Sequence, residues 1–222
     1  PAKNKLFCAR DRLGIKPFYY AIHDECFIFS SEIKGILASG HPAKPDIETL
    51  SQYLIDGYYD HTNNSFFHNI KSLGAGKTLI YKNKHLIENT YWSLVEQPKY
   101  DDNLETKDSI EYLQHLIKES VRLRLRSDVP LGVNLSGGID STSLAATMES
   151  LLPLGQELNA FTASYTEHKY DELRYASDAL KDTNISLHTS RLNATEVPDL
   201  IEKCMWHQEG PFGGISTLSY MK

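Results

Sequence analysis

The sequence predicts two domains of different fold class, an α+β domain followed by an α/β domain with a parallel sheet. Up to residue 97, short apolar runs separated by turn signals are typical of antiparallel strands. From residue 107 to 222, strand-like runs alternate with helical patterns, which implies parallel strands joined by right-handed crossovers. The polar stretch 98–106 contains Asp101 and Asp102 and is interpreted as a linker.

The composition excludes several classes of protein. Hydrophobic residues make up 41% of the chain, which argues against disorder, and a net charge of −6 argues against a nucleic-acid surface. The sequence contains no run of about 18 apolar residues, so it predicts no membrane span. The three cysteines form no CxxC pair, which favours reduced thiols in a cytoplasmic protein, and the scattered histidines indicate no zinc site.

The elements predicted for the first domain rest on apolar runs bounded by turn residues. In chain order they are the apolar run Leu6–Ala9, strands Phe18–Ile22 and Phe27–Ser30, helices Glu32–Leu37 and Asp46–Gly57, and short strands within Ser65–Tyr91. Residues 23–25 form a hairpin signal, and Asp46 is the predicted N-cap of the second helix. Residues 74–78 resemble the end of a Walker A loop, but that motif needs a glycine where Lys71 stands.

The second domain has the alternating pattern of a parallel α/β sheet. Its predicted elements are helix Asp108–Arg126, strand Val133–Leu135, helix Ser141–Leu152, strand Leu158–Ser164, helix Tyr170–Leu180, strand Ile185–Leu187 and helix Ala194–Trp206. In such sheets ligands bind beyond the carboxyl ends of the strands. The ends of the first two predicted strands therefore mark the expected site.

A glycine turn between the first of these strands and its helix predicts an anion site. Gly137 and Gly138 allow the backbone to approach a phosphate, because they carry no Cβ atom. Ser136 and Ser141 add hydroxyl donors, and the carboxylate of Asp140 could hold Mg²⁺ against the phosphate charge. The alternative is an ordinary strand-to-helix turn in which Asp140 is the helix N-cap.

The wider sequence resembles one enzyme family. SGGIDST, preceded by DVPLGVNL, resembles the pyrophosphate loop of the N-type ATP pyrophosphatases, and of their asparagine synthetase branch in particular. ARDRLGIKPFYY and FIFSSEIKGIL resemble the distal part of the glutaminase domain of class II amidotransferases, and SFFHNIKSLGAGKTLIYKN resembles the segment that closes it. Together these motifs identify the chain as similar to the glutamine-hydrolysing asparagine synthetases.

The resemblance implies a partial four-layer αββα N-terminal-nucleophile glutaminase domain, followed by an adenine-nucleotide α-hydrolase-like ATP pyrophosphatase domain. The nucleophile of that glutaminase family is an N-terminal cysteine whose α-amino group is the base. Cys8 is internal, so no glutaminase catalytic residue is assigned. We expect the chain to be an inactive fragment that lacks the nucleophile and a later metal-binding and acceptor-binding segment.

Site residues follow from the resemblance position by position. The ATP and pyrophosphate residues are Leu135, Ser136, Gly137, Gly138, Asp140, Ser141 and Ala163. Leu135 and Ala163 match backbone contacts to adenine, and Asp140 matches a ligand of Mg²⁺ bound through pyrophosphate. Glu209 matches a residue near the acceptor pocket. Asp171 and Glu172 either cap a helix or are catalytic carboxylates.

The implied function is the ATP-dependent and Mg²⁺-dependent amidation of aspartate. The family forms an acyl-adenylate, releases pyrophosphate, and uses ammonia from glutamine to make the amide. The implied partners are small molecules, and a homodimer is compatible with the resemblance. Two alternatives stay open: a related amidotransferase acting on another carboxylate, such as a sugar acid or a β-lactam precursor, and a non-catalytic nucleotide-binding module. The intact SGGIDST favours an enzyme over the module.

Overall fold

The computed structural model describes residues 5–96, 106–153, 155–165 and 171–222. Within these ranges the protein is a mixed α/β chain with three small sheets of three strands each. It divides into two compact units, one formed by Pro1–Lys99 with Met205–Pro211 and the other by Tyr100–Cys204 with Phe212–Lys222. Apart from Thr106, the predicted linker 98–106 lies outside the described residues.

The first unit contains two antiparallel sheets and two helices. Its elements are β1 (Lys5–Ala9), β2 (Tyr19–His23), β3 (Cys26–Ser30), α1 (Ile33–Ala38), α2 (Ile47–Asp56), β4 (Lys71–Ser72), β5 (Lys77–Lys82) and β6 (His85–Thr90). One sheet has the strand order β1-β5-β6 and the other β3-β2-β4. The predicted hairpin is confirmed, since β2 pairs antiparallel with β3 and both turn residues, Asp24 and Glu25, have positive φ.

The core of the first unit draws on both sheets. One buried cluster joins Cys8 and Leu79 of the first sheet to Tyr20 of the second. A separate cluster packs Ile33 and Ile36 of α1 with apolar residues of the second sheet. Burial raises the pKa of the Cys8 thiol, which disfavours the nucleophilic thiolate. Cys8 is therefore a packing residue, as its internal position in the sequence predicts.

Helix α2 is bounded by the residues that the sequence indicates. The side chain of Asp46 accepts a hydrogen bond of 3.0 Å from the Thr49 N–H, which satisfies one of the free donors at the helix start. This backbone hydrogen bond holds the pKa of Asp46 below its usual value. Gly57 ends the helix in the left-handed conformation, with φ of 75°.

A rigid turn after β1 depends on Arg10 and Asp11. The Arg10 guanidinium donates hydrogen bonds to the carbonyl oxygens of Gly14, Lys16 and Leu73 and to the Ser72 hydroxyl, at 2.6–2.9 Å. The Asp11 carboxylate accepts N–H groups from residues 13, 15 and 16, and these bonds lower its pKa. The RDRLGIK motif is thus a hydrogen-bonded turn that connects β1 to the strand segment around β4.

The second unit has a parallel sheet, which confirms the predicted alternation. Its elements are α3 (Thr106–Arg124), β7 (Gly132–Asn134), α4 (Ile139–Leu151), β8 (Leu158–Ser164), α5 (Leu173–Ala179), β9 (Ile185–Arg191), α6 (Val197–Gln208) up to Cys204, and α7 (Ile215–Met221). The strand order is β7-β8-β9, and both pairs are parallel. A buried cluster that includes Leu135, Ala145 and Ala176 packs α4 and α5 against the sheet.

The structure corrects several predicted boundaries in the second unit. Strand β9 continues to Arg191, four residues beyond the predicted end, because it stays paired with β8 through Ser164. Residues 194–196 form a short 3₁₀ turn before α6 rather than its first turn. Helix α7 was not predicted; its Leu218 is buried in a cluster with Leu200 and Cys204 of α6. No helix in the described part of the chain is long and apolar enough to cross a membrane.

Substitution of Arg10 by lysine should destabilise the first unit. A lysine ammonium cannot reproduce the planar fork that reaches four acceptors, so we expect the free energy of unfolding to fall by about 2–3 kcal/mol. Urea denaturation followed by circular dichroism measures this change. Arg12→Lys is the matched control, because Arg12 is exposed and lies two residues away. Equal stability of the two variants would contradict the role assigned to Arg10.

Candidate nucleotide-binding site

The predicted phosphate loop connects β7 to α4 at the carboxyl edge of the parallel sheet. Helix α4 begins at Ile139, and its N-cap is Gly138, with φ of −73° and ψ of 163°. The interpretation of Asp140 as the N-cap is therefore wrong, because Asp140 lies in the first turn of the helix. Its exposed carboxylate is not used for capping and is available to a ligand.

The two serines of the loop are hydrogen-bonded to each other. Their hydroxyl oxygens are 3.1 Å apart, and the Ser136 N–H donates to the Ser141 hydroxyl at 3.3 Å. The Gly138 N–H donates to the Ser136 hydroxyl at 3.4 Å. The Ser141 hydroxyl also donates to the Gly138 carbonyl at 3.2 Å, and all of these contacts are long for hydrogen bonds, so the hydroxyls can rotate toward an anion at small cost. The loop thus gathers two hydroxyls and two N–H groups around one point.

Glycine stands at positions 137 and 138 of the loop for two different structural reasons. Gly137 has φ of 77°, and a Cβ atom there would lie 2.4 Å from the carbonyl carbon of Tyr175 in α5. A side chain at Gly138 would meet only the Ser136 hydroxyl, at 3.4 Å. Gly137 is therefore required by the packing of α5, whereas nothing in the described fold requires glycine at Gly138. Close approach of a ligand therefore explains the glycine at position 138 only.

A cavity of about 260 Å³ opens beside the loop. Four predicted nucleotide residues line it: Leu135, Ser136, Ser141 and Ala163. Leu135 is buried, and its N–H donates to the carbonyl of Phe161 in β8 at 2.8 Å, which holds the loop beside the end of that strand. Parallel pairing of β7 with β8 thus brings residues 28 positions apart in sequence to one pocket.

Several residues that line this cavity were missed by the sequence analysis. Tyr165, Ser216 and Tyr220 contribute to its wall, beside Glu172, which the sequence had indicated as either a helix cap or a catalytic carboxylate. Ser216 and Tyr220 belong to α7, which a hydrogen bond of 2.8 Å between the Tyr165 and Ser219 hydroxyls fixes beside β8. No local pattern in the sequence indicates α7, which is why Ser216 and Tyr220 were not predicted.

The described residues include no group of three or more His, Cys, Asp or Glu side chains that could ligate a metal. A metal at this loop would therefore take most of its ligands from a bound phosphate and from water. Mg²⁺ is usually bound in this way, with one or two carboxylates from the protein. The exposed carboxylate of Asp140 fits that requirement.

Comparison with known proteins matches each half of the chain to a protein family. Residues 112–221 match the asparagine synthase family, and residues 1–92 match the glutamine amidotransferase domain. The chain belongs to the glutamine-hydrolysing asparagine synthetase family. The matched ranges contain the phosphate loop and the Arg10–Asp11 turn, respectively.

Several curated relatives align with nearly the whole chain. A putative asparagine synthetase [glutamine-hydrolyzing] 2 from Methanocaldococcus jannaschii is 34% identical over 96% of this chain and 41% of its own length. Asparagine synthetase [glutamine-hydrolyzing] 2 from Bacillus subtilis is 34% identical over 96% of this chain and 30% of its own. An amidase, chry2, from Gibberella zeae is 29% identical over 94% of this chain and 33% of its own length. The chain thus spans less than half the length of these relatives.

The remaining predicted site residue, Glu209, lies in the part of the chain that belongs to the first unit. Its carboxylate accepts the N–H groups of Ile33 and Lys34, at the start of α1, at 2.6 Å each. The Lys34 ammonium lies 3.3 Å away, and the Glu209 side chain is only 9% exposed. Partial desolvation lowers the pKa of Lys34, but Glu32 and Glu209 outweigh this effect and raise it. The acceptor role of Glu209 stays a prediction.

Replacement of Gly137 by alanine should disrupt the loop. The left-handed backbone and the clash with α5 together should lower the free energy of unfolding by more than about 2 kcal/mol. Thermal and urea denaturation measure the effect. Gly138→Ala is the matched control and should cost less, about 0.5–1 kcal/mol, because its Cβ atom meets no backbone and only the N-cap preference for glycine over alanine is lost. Comparable destabilisation by both substitutions would show that the contact with α5 is not what requires glycine at position 137.

Replacement of Glu209 by glutamine separates an anchoring role from an acceptor role. One N–H donor of α1 would face the new amide NH₂ group, so we expect a loss of about 2 kcal/mol in the free energy of unfolding. The control is Glu202→Gln, an exposed position on α6. The full-length variant is also assayed for the KM of the acceptor acid. A raised KM with unchanged stability would favour the acceptor role instead.

Proposed function

We propose that the full-length protein is a glutamine-hydrolysing asparagine synthetase, a ligase that amidates aspartate with ammonia from glutamine at the expense of ATP. One observation carries this proposal. The strand–loop–helix of an asparagine synthase family member places Leu135, Ser136, Ser141 and Ala163 around a single cavity at the carboxyl edge of its parallel sheet. This is the arrangement that a nucleotide phosphate requires.

The loop residues have distinct proposed roles toward ATP, which the family uses. Ser136 and Ser141 donate hydroxyl hydrogen bonds to the pyrophosphate group, and the backbone around Gly137 and Gly138 offers N–H donors. Backbone atoms of Leu135 and Ala163 bind the adenine. Because charge builds up on pyrophosphate as it leaves, donors already fixed around its position lower the barrier.

Asp140 is the proposed protein ligand for Mg²⁺. The metal, when bound, neutralises charge on the pyrophosphate. The first turn of α4 holds the Asp140 carboxylate on the loop itself, exposed and without a capping role. The residue therefore fits an octahedral ion that keeps several water and phosphate ligands.

The first unit is the proposed glutaminase domain, over residues 1–97, and the synthetase domain is proposed for 107–222, after the linker 98–106. Two antiparallel sheets with a shared buried cluster, and the match to the glutamine amidotransferase domain, support the four-layer αββα arrangement. We further propose a cytoplasmic enzyme with small-molecule partners, no nucleic-acid partner and a homodimeric assembly. The unpaired cysteines, Cys8, Cys26 and Cys204, are consistent with a reducing compartment.

A second candidate is an amidotransferase that acts on another carboxylate, such as a sugar acid or a β-lactam precursor. The amidase relative from Gibberella zeae favours it, because that protein shares 29% identity across both halves of the chain. The loop chemistry is the same in both candidates. Only the acceptor acid distinguishes them, so a panel of acceptors is needed.

Asp140→Ala in the full-length protein should abolish ATP-dependent pyrophosphate release and leave glutamine hydrolysis mostly intact. The reason is that Asp140 belongs to the nucleotide loop, whereas glutamine chemistry belongs to the other domain. Pyrophosphate release is followed with ATP, Mg²⁺ and ammonia across a panel of acids that includes aspartate. The control is Asp182→Ala, an exposed acidic residue of the same unit.

The outcomes of this assay separate the candidates. Release only with aspartate supports asparagine synthesis, and release only with another acid supports the second candidate. No release with any acid, combined with ATP affinity that Asp140→Ala does not change, would favour a non-catalytic nucleotide-binding module. Equal loss of both activities in Asp140→Ala would contradict the domain assignment.

A further inference from the structure

A short segment of the synthase-family half of the sequence belongs to the first unit. Met205–Pro211 lies within residues 112–221, which match the asparagine synthase family, but it forms one compact unit with residues 1–99. Residues 1–92 of that unit match the glutamine amidotransferase domain. The interactions that hold the 205–211 segment within the first unit therefore join sequence from both families.

The ammonium group of Lys34 in α1 is at the centre of these interactions. Its Nζ atom lies 3.3 Å from a carboxylate oxygen of Glu209 and 5.5 Å from the centre of the Trp206 ring, and it donates to the Trp206 carbonyl at 3.5 Å. Glu32 adds a carboxylate oxygen at 3.2 Å. Lys34 thus binds the segment through a carboxylate, a carbonyl and the face of an aromatic ring.

The backbone of the segment is held in a strained conformation at Glu209. The φ angle of Glu209 is 59°, a left-handed value that is unfavourable for a residue with a side chain. The next residue, Gly210, lies close to Phe66, since a Cβ atom there would be 2.7 Å from the ring. Strain of this kind persists only where surrounding contacts fix the backbone, and it is frequent at functional sites. The contacts with α1 and Phe66 fix it here.

Helix α6 connects this segment to the nucleotide cavity. It is one continuous helix over Val197–Gln208. Its buried residues Leu200 and Cys204 pack in one cluster with Leu218 of α7, and α7 supplies two residues of the cavity wall. Packed side chains and rigid helices carry coupling between sites. A displacement of α7 at the cavity would therefore reach the partners of Lys34 through α6.

Coupling between the two proposed reactions has a chemical reason. Glutamine and water give glutamate and ammonia, and ammonia then attacks the acyl-adenylate to give the amide and AMP. Ammonia that is released while no nucleotide is bound is lost to solvent, and the glutamine is wasted. A glutaminase that responds to the nucleotide cavity avoids this loss, and such a response requires a structural element that both sites affect.

We propose that Lys34 is a positioning residue that couples glutamine hydrolysis to occupation of the nucleotide cavity. With Glu209 and Trp206 it holds the end of α6 on α1, so that a nucleotide bound beside α7 favours the hydrolysing state of the glutaminase domain. Lys34 is not among the residues that line the nucleotide cavity, so it acts on the coupling and not on the chemistry of amidation. This inference rests on the proposed function, because it assumes both reactions.

The test measures kcat/KM for glutamine hydrolysis in the full-length protein, once alone and once with ATP, Mg²⁺ and the acceptor acid. In the wild type we expect these additions to raise the value about tenfold, a usual size for coupling between two sites. Lys34→Met keeps an unbranched side chain beside the Trp206 ring but removes its charge, so the stimulation should fall to about twofold or less. Glutamine hydrolysis without ATP, and amide formation from ammonia, should keep their wild-type rates.

Lys44→Met is the matched control, because Lys44 is an exposed lysine of the same unit, and its stimulation should equal that of the wild type. Lys34→Arg restores a cation beside Glu209 and should recover most of the stimulation. If circular dichroism shows that Lys34→Met does not fold, Trp206→Leu tests the same interaction at a position that is 63% exposed, and it should also reduce the stimulation.

Several outcomes would overturn the inference and leave the proposed function standing. They are a wild type without stimulation, equal stimulation in the wild type and Lys34→Met, and a reduction that Lys44→Met shares. A reduced stimulation of Lys34→Met that is accompanied by loss of ammonia-dependent amidation assigns Lys34 to the stability of the fold and also overturns it. If the wild type forms no amide from either ammonia or glutamine, the proposed function fails and this inference fails with it.

Discussion

The close contact between Gly137 and the first turn of α5 determines the geometry of the candidate site. The carbonyl carbon of Tyr175 lies only 2.4 Å from the place that a Cβ atom of residue 137 would occupy. This contact joins the loop after β7 to a helix that follows β8, so two crossovers of the parallel sheet are fixed to each other at its carboxyl edge. Tight packing of this kind has little tolerance for added volume. The positions of Ser136, Ser141 and Glu172 around one cavity depend on it.

The loop shows how one short motif can satisfy two separate demands. In the sequence, both glycines have the same predicted reason, namely close approach of a phosphate. The structure separates them, because Gly137 has positive φ and contacts α5, whereas Gly138 has an ordinary extended conformation and a Cβ atom there would meet only the Ser136 hydroxyl. No pattern within the motif could reveal this difference, since the deciding contact comes from residues nearly 40 positions later in the chain. Here a family motif combines a folding constraint with a ligand constraint.

Features specified by local interactions were predictable, and those specified by distant ones were not. The β2–β3 hairpin and the ends of α2 follow from turn and capping residues, and both were predicted correctly. Strand β9 was predicted too short, because its last residues are polar and their partners lie on β8, far away in the sequence. Helix α7 was missed because its buried residue, Leu218, finds its partners in α6 and not in its own turn. Most of the residues that line the cavity are likewise brought together by contacts between elements that are distant in the sequence.

Acidic residues illustrate the same limit for function. In the sequence, Asp46, Asp171, Glu172 and Glu209 are all acidic residues at or near the ends of predicted helices. Their hydrogen-bond partners separate them: Asp46 and Asp171 accept N–H groups of their own helices, and Glu209 accepts two from α1. A carboxylate satisfied in this way has little capacity left for a substrate or metal. Glu172 makes no such capping bond and is exposed at the edge of the nucleotide cavity, so its carboxylate keeps the capacity that the other three have lost.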